Sequence, residues 1–117
     1  MIKILNRDDI YNIKNSAIRE YLKNTIQNLS PEFHMPQDGY FVVIENFEEL
    51  TQNPISLTHC ILPSIYDGLI DNIEVVHQEN NIIEIIFIIN NEFSISLVMF
   101  SSILPNHLLS QVFKNLL

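Results

Sequence analysis

Lysine and arginine are missing from most of this 117-residue chain, since none occurs between residues 24 and 113. The same stretch contains all of the 14 acidic residues except Asp8, Asp9 and Glu20, and the formal net charge is −8. Nucleic-acid binding depends on basic side chains that neutralise phosphates, so this distribution argues against a nucleic-acid partner and favours a basic protein partner. A simpler interpretation stays open, in which negative charge only keeps an apolar small domain soluble.

Cysteine and glycine are scarce. The single cysteine, Cys60, has no partner for an internal disulfide, which is typical of a protein from a reducing compartment. With only two glycines, Gly39 and Gly68, the chain has no glycine-rich phosphate loop. The histidines form no HxxxH or HExxH pattern and no CxxC occurs, so the sequence predicts neither a metal site nor a cofactor. These histidines are His34, His59, His77 and His107.

The pair His59-Cys60 is the candidate for nucleophilic catalysis. Neighbouring side chains on an extended segment point to opposite sides, so His59 would not act as the base for Cys60. The apolar neighbours Leu57 and Ile61 favour Cys60 as a small core residue. A catalytic Cys60 served by a distant histidine is the alternative, and we predict that the chain is not an enzyme.

No apolar run of the sequence is free enough of charge to suggest a membrane span. The run at residues 82–100 is interrupted by Glu84 and Glu92, and a charge near mid-bilayer costs about 2.5–3.5 kcal/mol. The N-terminal segment turns charged before an apolar run of signal-peptide length, so we expect a cytoplasmic protein. A length of 117 residues with 47% hydrophobic side chains predicts one domain, residues 1–117.

Hydrophobic spacing predicts a helix near each end of the chain. Apolar side chains recur at intervals of three and four through the first 29 residues, which indicates an amphipathic helix. If this helix bends, we expect the bend at Asn15-Ser16. The helix ends by Pro31, because the residue before a proline is pushed out of helical geometry. A second helix is predicted after Pro105, because proline suits a first helical turn.

The middle of the chain predicts a sheet. Residues 40–45 form a continuous apolar run, which is typical of a strand buried on both faces. Residues 71–100 predict a three-stranded meander with turns at two Asn-Asn pairs. Residues 46–50 suggest one helical turn and residues 55–62 a short strand. The predicted fold is α+β, with a mainly antiparallel sheet of four to five strands packed against an N-terminal and a C-terminal helix.

The position of Glu84 sets the register of the meander. A two-residue loop at Asn90-Asn91 would bury Glu84 on an apolar face without an obvious partner, which is costly. A three-residue loop, residues 90–92, moves Glu84 to the opposite face, and asparagine tolerates the left-handed conformation that such a loop needs. One face then becomes wholly apolar. Its members are Ile73, Val75, Ile83, Ile85, Phe87, Ile89, Phe93, Ile95, Leu97 and Met99.

The two faces of the meander therefore have different expected roles. We expect both helices to cover the apolar face. The opposite face mixes Glu74 and Glu84 with isoleucines, so it is either covered in part by a loop or meets another chain. We expect a partner at this second face and at the acidic residues beside it.

Exposed acidic positions and one tyrosine are the candidate partner-binding residues. Tyr66 stands beside Asp67 and could anchor an interface, since interface energy concentrates in buried Tyr, Trp and Arg, although an ordinary core tyrosine explains it equally well. The predicted set is Glu48, Glu49, Tyr66, Asp67, Asp71, Glu74 and Glu79.

In size, acidity, richness in Ile and Asn and lack of a catalytic constellation, the whole chain resembles the immunity proteins of bacterial contact-dependent growth inhibition. The resemblance implies a protein that binds one cognate toxin domain, typically a basic nuclease, and blocks its active site or its access to substrate. It identifies no individual functional residue. Independently, an acidic surface can occupy a cleft built from Lys and Arg as a phosphate mimic.

The alternative is a non-catalytic interaction subunit, such as a phage inhibitor, adaptor or chaperone, that uses the mixed sheet face or a homodimer. For the toxin inhibitor we expect no nucleic-acid or membrane partner, and a free protein that is a monomer or a weak dimer. Affinity that weakens with salt favours the toxin inhibitor, whereas stable self-association favours the alternative.

Overall fold

The chain adopts an α+β fold in the computed structural model, which describes residues 2–46, 70–77 and 81–100. The strands are β1 (Ile2–Ile4), β2 (Gly39–Val43), β3 (Ile70–His77), β4 (Ile82–Ile89) and β5 (Phe93–Phe100). The helices of the described part are a 3-10 helix (Arg7–Asn12) and α1 (Ser16–Gln27). The sheet has the order β1-β2-β5-β4-β3, with β2 and β5 parallel and the other neighbouring pairs antiparallel.

The N-terminal segment contains more than the single helix that we predicted. Asn6 begins the 3-10 helix by accepting hydrogen bonds from the backbone N of Asp8 and Asp9 at 3.0 and 3.2 Å. Asn15 begins α1 by accepting hydrogen bonds from two backbone N–H groups at 3.0 and 3.2 Å. Asparagine at these positions stabilises helix starts, so the apolar stripe is shared by two helices separated near the expected bend. Strand β1 was not predicted, because three residues are too few to show a periodicity.

The register of the meander is confirmed. Ile89 pairs with Phe93 and Phe87 with Ile95, which leaves residues 90–92 as a three-residue loop. Asn90 and Asn91 have φ values of 55° and 58°, in the left-handed region that asparagine tolerates. Strands β4 and β5 consequently place Glu84 on the face opposite the wholly apolar one.

The sheet carries a core on each face, and strand β2 contributes to both. The first core lies on the apolar face and contains Tyr40, Val42, Ile44, Ile83, Ile85, Phe87, Ile89, Ile95, Leu97 and Met99. The second core contains Ile4, Ile10, Ile13, Ile18, Leu22, Ile26, Phe41, Val43, Ile82 and Val98. Every residue of β2 is buried, as predicted for a continuous apolar strand. Val75 shares the apolar face but is 45% exposed on the outer strand β3.

The expectation that the N-terminal helix covers the wholly apolar face is wrong. Helix α1 packs through Ile18, Leu22 and Ile26 on the second core, which includes Ile82 and Val98 of the mixed face. The physical reason lies in β1 and β2, whose apolar side chains complete that face and were not part of the meander from which we judged it. The predicted helical turn 46–50, the strand 55–62 and the C-terminal helix lie outside the described residues.

Glu84 is buried beneath α1 rather than offered to a partner. Its side chain is 7% exposed, and the Tyr21 hydroxyl donates a hydrogen bond of 2.7 Å to the Glu84 Oε2. A buried carboxylate needs such a donor, because leaving it unpaired costs far more than the bond itself contributes. The contact joins residues 63 positions apart, so no local sequence pattern predicted it.

Tyr21→Phe is expected to lower the free energy of unfolding by about 1–2 kcal/mol, since it removes a hydrogen-bond donor from a buried carboxylate. Chemical denaturation measures the change. Tyr11→Phe is the matched control, because Tyr11 is 72% exposed and its loss should stay within about 0.5 kcal/mol. Equal effects of the two substitutions would contradict the role assigned to Tyr21.

Candidate functional site

Helix α1 leaves part of the mixed sheet face uncovered. At the covered end, Val98 pairs with Glu84, and both are buried. Toward the other end, Ser94 pairs with Ile88 and Ile86 pairs with Glu74. Ile86, Ile88 and Ser94 are only half-buried there, and Glu74 is exposed. The mixed face is therefore divided between packing under the helix and an accessible strip.

A groove of about 490 Å³ lies between the Ile88 end of this strip and the segment that connects α1 to β2. We call it the acidic groove, and define it by three half-buried apolar residues and three acidic residues of its lining. These are Phe33, Ile88 and Phe93, with Glu32, Asp38 and Glu92. Glu32 and Glu92 are exposed, whereas Asp38 is half-buried. The groove thus combines an apolar floor with negative charge at its rim.

The connecting segment is held by its own hydrogen bonds. The Asp38 Oδ2 accepts a bond of 2.8 Å from the His34 backbone N, and the Asp38 N donates one of 2.8 Å to the His34 carbonyl. The Ser94 N donates to the Asp38 carbonyl at 3.2 Å, which fixes the segment to β5. Asp38 therefore shapes the groove in addition to charging it.

Glu32 and Glu92 are the carboxylates that remain available for a ligand. Within residues 2–46, 70–77 and 81–100, no hydrogen bond or ion pair engages either side chain. Arg7 lines a separate cleft of about 680 Å³, which also touches Phe33 and Asp38. Among the described residues that line the acidic groove, none is lysine or arginine. Its charge is therefore not neutralised by a neighbouring basic side chain of the groove wall.

Two of the predicted partner-binding residues, Asp71 and Glu74, lie in the described part of the chain, and both are exposed on β3. The Asp71 Oδ2 accepts a hydrogen bond of 2.6 Å from the backbone N of Asn91, a residue of the groove. Glu74 pairs with Ile86 on the accessible strip and accepts a hydrogen bond from the Asn72 Nδ2 at 3.4 Å. Asp71 is thus joined to the groove and Glu74 lies on the adjoining sheet face. Glu48, Glu49, Tyr66, Asp67 and Glu79 lie outside the described residues.

The structure adds residues that the sequence prediction omitted. Glu32, Phe33 and Asp38 belong to the segment between the predicted N-terminal helix and the predicted strand at residues 40–45, to which we assigned no role, and Glu92 belongs to a turn considered only for register. The sequence signal that could have identified these residues is their position in the stretch without lysine or arginine. Their meeting with Ile88 depends on the parallel pairing of β2 with β5.

Asp71→Ala is expected to lower the free energy of unfolding by about 1 kcal/mol, because the Asn91 N–H loses its carboxylate acceptor in an exposed turn. Thermal or chemical denaturation measures the loss. Glu74→Ala is the control, since Glu74 is exposed on the same strand and accepts only the longer bond from Asn72. A larger loss in the control would show that Asp71 does not stabilise the turn.

The described residues contain no group of three or more His, Cys, Asp or Glu side chains that could hold a metal ion. Among the same residues, no helix has both the length and the apolar character needed to cross a membrane. Comparison with protein-family models, curated proteins and solved structures finds no match.

Proposed function

We propose that this chain is an immunity protein that neutralises a cognate toxin domain, a basic nuclease, by blocking its active site or its access to substrate. The observation that carries the proposal is the acidic groove, in which the unpaired carboxylates of Glu32 and Glu92 stand beside half-buried Phe33 and Ile88. A nuclease cleft presents lysine and arginine to phosphates, so it is complementary to such a surface.

The distribution of charge along the whole chain also supports the proposal. Five of the six basic residues precede residue 24, so the rest of the chain up to residue 113 has one sign of charge. A field of one sign accelerates the encounter with an oppositely charged protein and disfavours nucleic acid. Rapid capture is valuable for an inhibitor that has to act before a toxin reaches its substrate.

The apolar residues of the groove supply binding energy that charge alone does not provide. Exposed ion pairs contribute little to affinity, with a typical value of about 0–1 kcal/mol, because water screens them. Interfaces instead gain most of their energy from a few well-packed, desolvated side chains. Phe33 and Ile88, both half-buried, are the apolar residues of the acidic groove lining that can pack against a partner.

Co-expression with the toxic domain encoded beside the gene tests the proposal. Growth should be rescued, and the purified complex should weaken as the salt concentration rises, because exposed charges are screened. Failure of rescue together with no complex at low salt would refute the immunity function. A stable homodimer whose formation is insensitive to salt would instead support the interaction-subunit alternative.

A further inference from the structure

We infer that the acidic groove receives an arginine side chain of the partner, carried on a short segment with apolar neighbours. The inference rests on the proposed function, and it names the chemistry of the toxin segment that this site takes. Its basis is the combination of apolar surface, aromatic edges and unpaired carboxylates in one groove of about 490 Å³.

The aromatic part of the groove is held in place by the fold. Phe93 packs edge to face against Tyr40, with ring centroids 5.8 Å apart and an interplanar angle of 62°. The Phe33 Cζ lies 3.0 Å from the position that a Cβ on Gly39 would occupy, so this ring packs against the start of β2. The Phe33 ring is therefore positioned before a ligand arrives, which reduces the entropy cost of binding, whereas the Phe93 ring packs on the first core.

Charge complementarity selects a cation as the occupant. Glu32, Asp38 and Glu92 border the groove, and none of the described residues that line it is basic. Asp38 Oδ2 is engaged by the His34 backbone N, whereas no hydrogen bond within the described residues engages the side chains of Glu32 and Glu92, so we assign the pairing with the cation to these two glutamates. A cation bound between them relieves the repulsion among like charges while its stem covers Ile88.

The mixture of groups favours arginine over lysine. A guanidinium is weakly hydrated, stacks on aromatic rings and pairs with carboxylates through two parallel hydrogen bonds. An ammonium ion is compact and strongly hydrated, so it gains less from an apolar floor. The groove volume also suits a side chain and its neighbours, since it falls within the size range of small-ligand sites.

A peptide titration tests the inference without the toxin. The probe is acetyl-Leu-Arg-Leu-amide, added to the full chain and followed by the NMR resonances of Phe33, Ile88 and Phe93. We expect saturable shifts at these residues and roughly two- to fivefold weaker binding of the lysine peptide, the factor that a cation–π contact gives at an exposed site. The citrulline peptide, which has the same shape but no charge, should bind about tenfold more weakly, because it lacks the ion pairs with the two exposed glutamates.

Matched variants localise the binding. Glu32→Gln/Glu92→Gln should weaken it about tenfold, the combined effect of losing two exposed ion pairs, whereas Asp8→Asn/Glu20→Gln removes the same amount of charge from exposed positions outside the groove and should retain it. Equal binding of the arginine and citrulline peptides, equal binding of the lysine peptide, shifts elsewhere or no saturable shift would each overturn the inference.

The peptide titration and the rescue experiment can succeed or fail independently of each other. Peptide binding in the groove with failed rescue from the toxin would support the arginine site and refute the immunity function. Rescue with no arginine binding would leave the immunity function standing and overturn the groove as its arginine site.

Discussion

Replacing Gly39 with alanine is expected to lower the free energy of unfolding by about 3 kcal/mol, the upper end of the usual cost of overpacking. A Cβ at this position would overlap the Ser94 carbonyl oxygen, and it would lie 2.8 Å from the Ser94 Oγ. Gly39 and Ser94 are partners in the parallel pairing of β2 with β5. The backbone oxygen can move away only if the two strands separate at this point. Relieving the clash therefore costs hydrogen bonds and packing between β2 and β5.

Chemical denaturation of the variant measures this loss. Ser94→Ala is the control, because it removes the hydroxyl but leaves the carbonyl in place. The double variant Gly39→Ala/Ser94→Ala should remain almost as unstable as Gly39→Ala alone. Recovery of stability in the double variant would show that the close approach to the backbone is not the cause, and a loss below about 1 kcal/mol would contradict the packing seen at this junction.

Charge reversal at the groove is expected to weaken binding of the toxin by about 100-fold at low salt. Glu32→Lys/Glu92→Lys replaces two available carboxylates with cations, so attraction to a basic partner becomes repulsion. A 100-fold change corresponds to about 2.8 kcal/mol, and like charges across an interface cost several kcal/mol. Both glutamates are exposed, so the folded chain should tolerate the change.

Binding to the purified toxin domain at several salt concentrations measures the effect. Asp8→Lys/Glu20→Lys has the same net charge as the groove variant and changes exposed residues that do not line the groove. The control should reduce the association rate only modestly, because long-range steering is weakened while the contact surface is kept. If both variants lost the same affinity, total charge rather than the groove would account for binding.

Local physical chemistry made much of the sheet predictable. Side chains alternate strictly along a strand, so the requirement that Glu84 avoid an apolar face was enough to set the loop at residues 90–92. The continuous apolar run of β2 likewise predicted burial on both sides. The absence of lysine and arginine between residues 24 and 113 set the sign of the surface charge without reference to any fold.

Contacts between distant segments of the chain decided which face the helix covers and where the acidic groove lies. The face that α1 covers depended on Ile4, Phe41 and Val43, which complete the second core from outside the meander. Glu84 received Tyr21 as its donor only because that helix lies above it. The acidic groove exists because parallel pairing of β2 with β5 brings the segment before Gly39 beside the start of β5. Alternation and charge are properties of neighbouring residues, whereas these contacts depend on how separate elements pack.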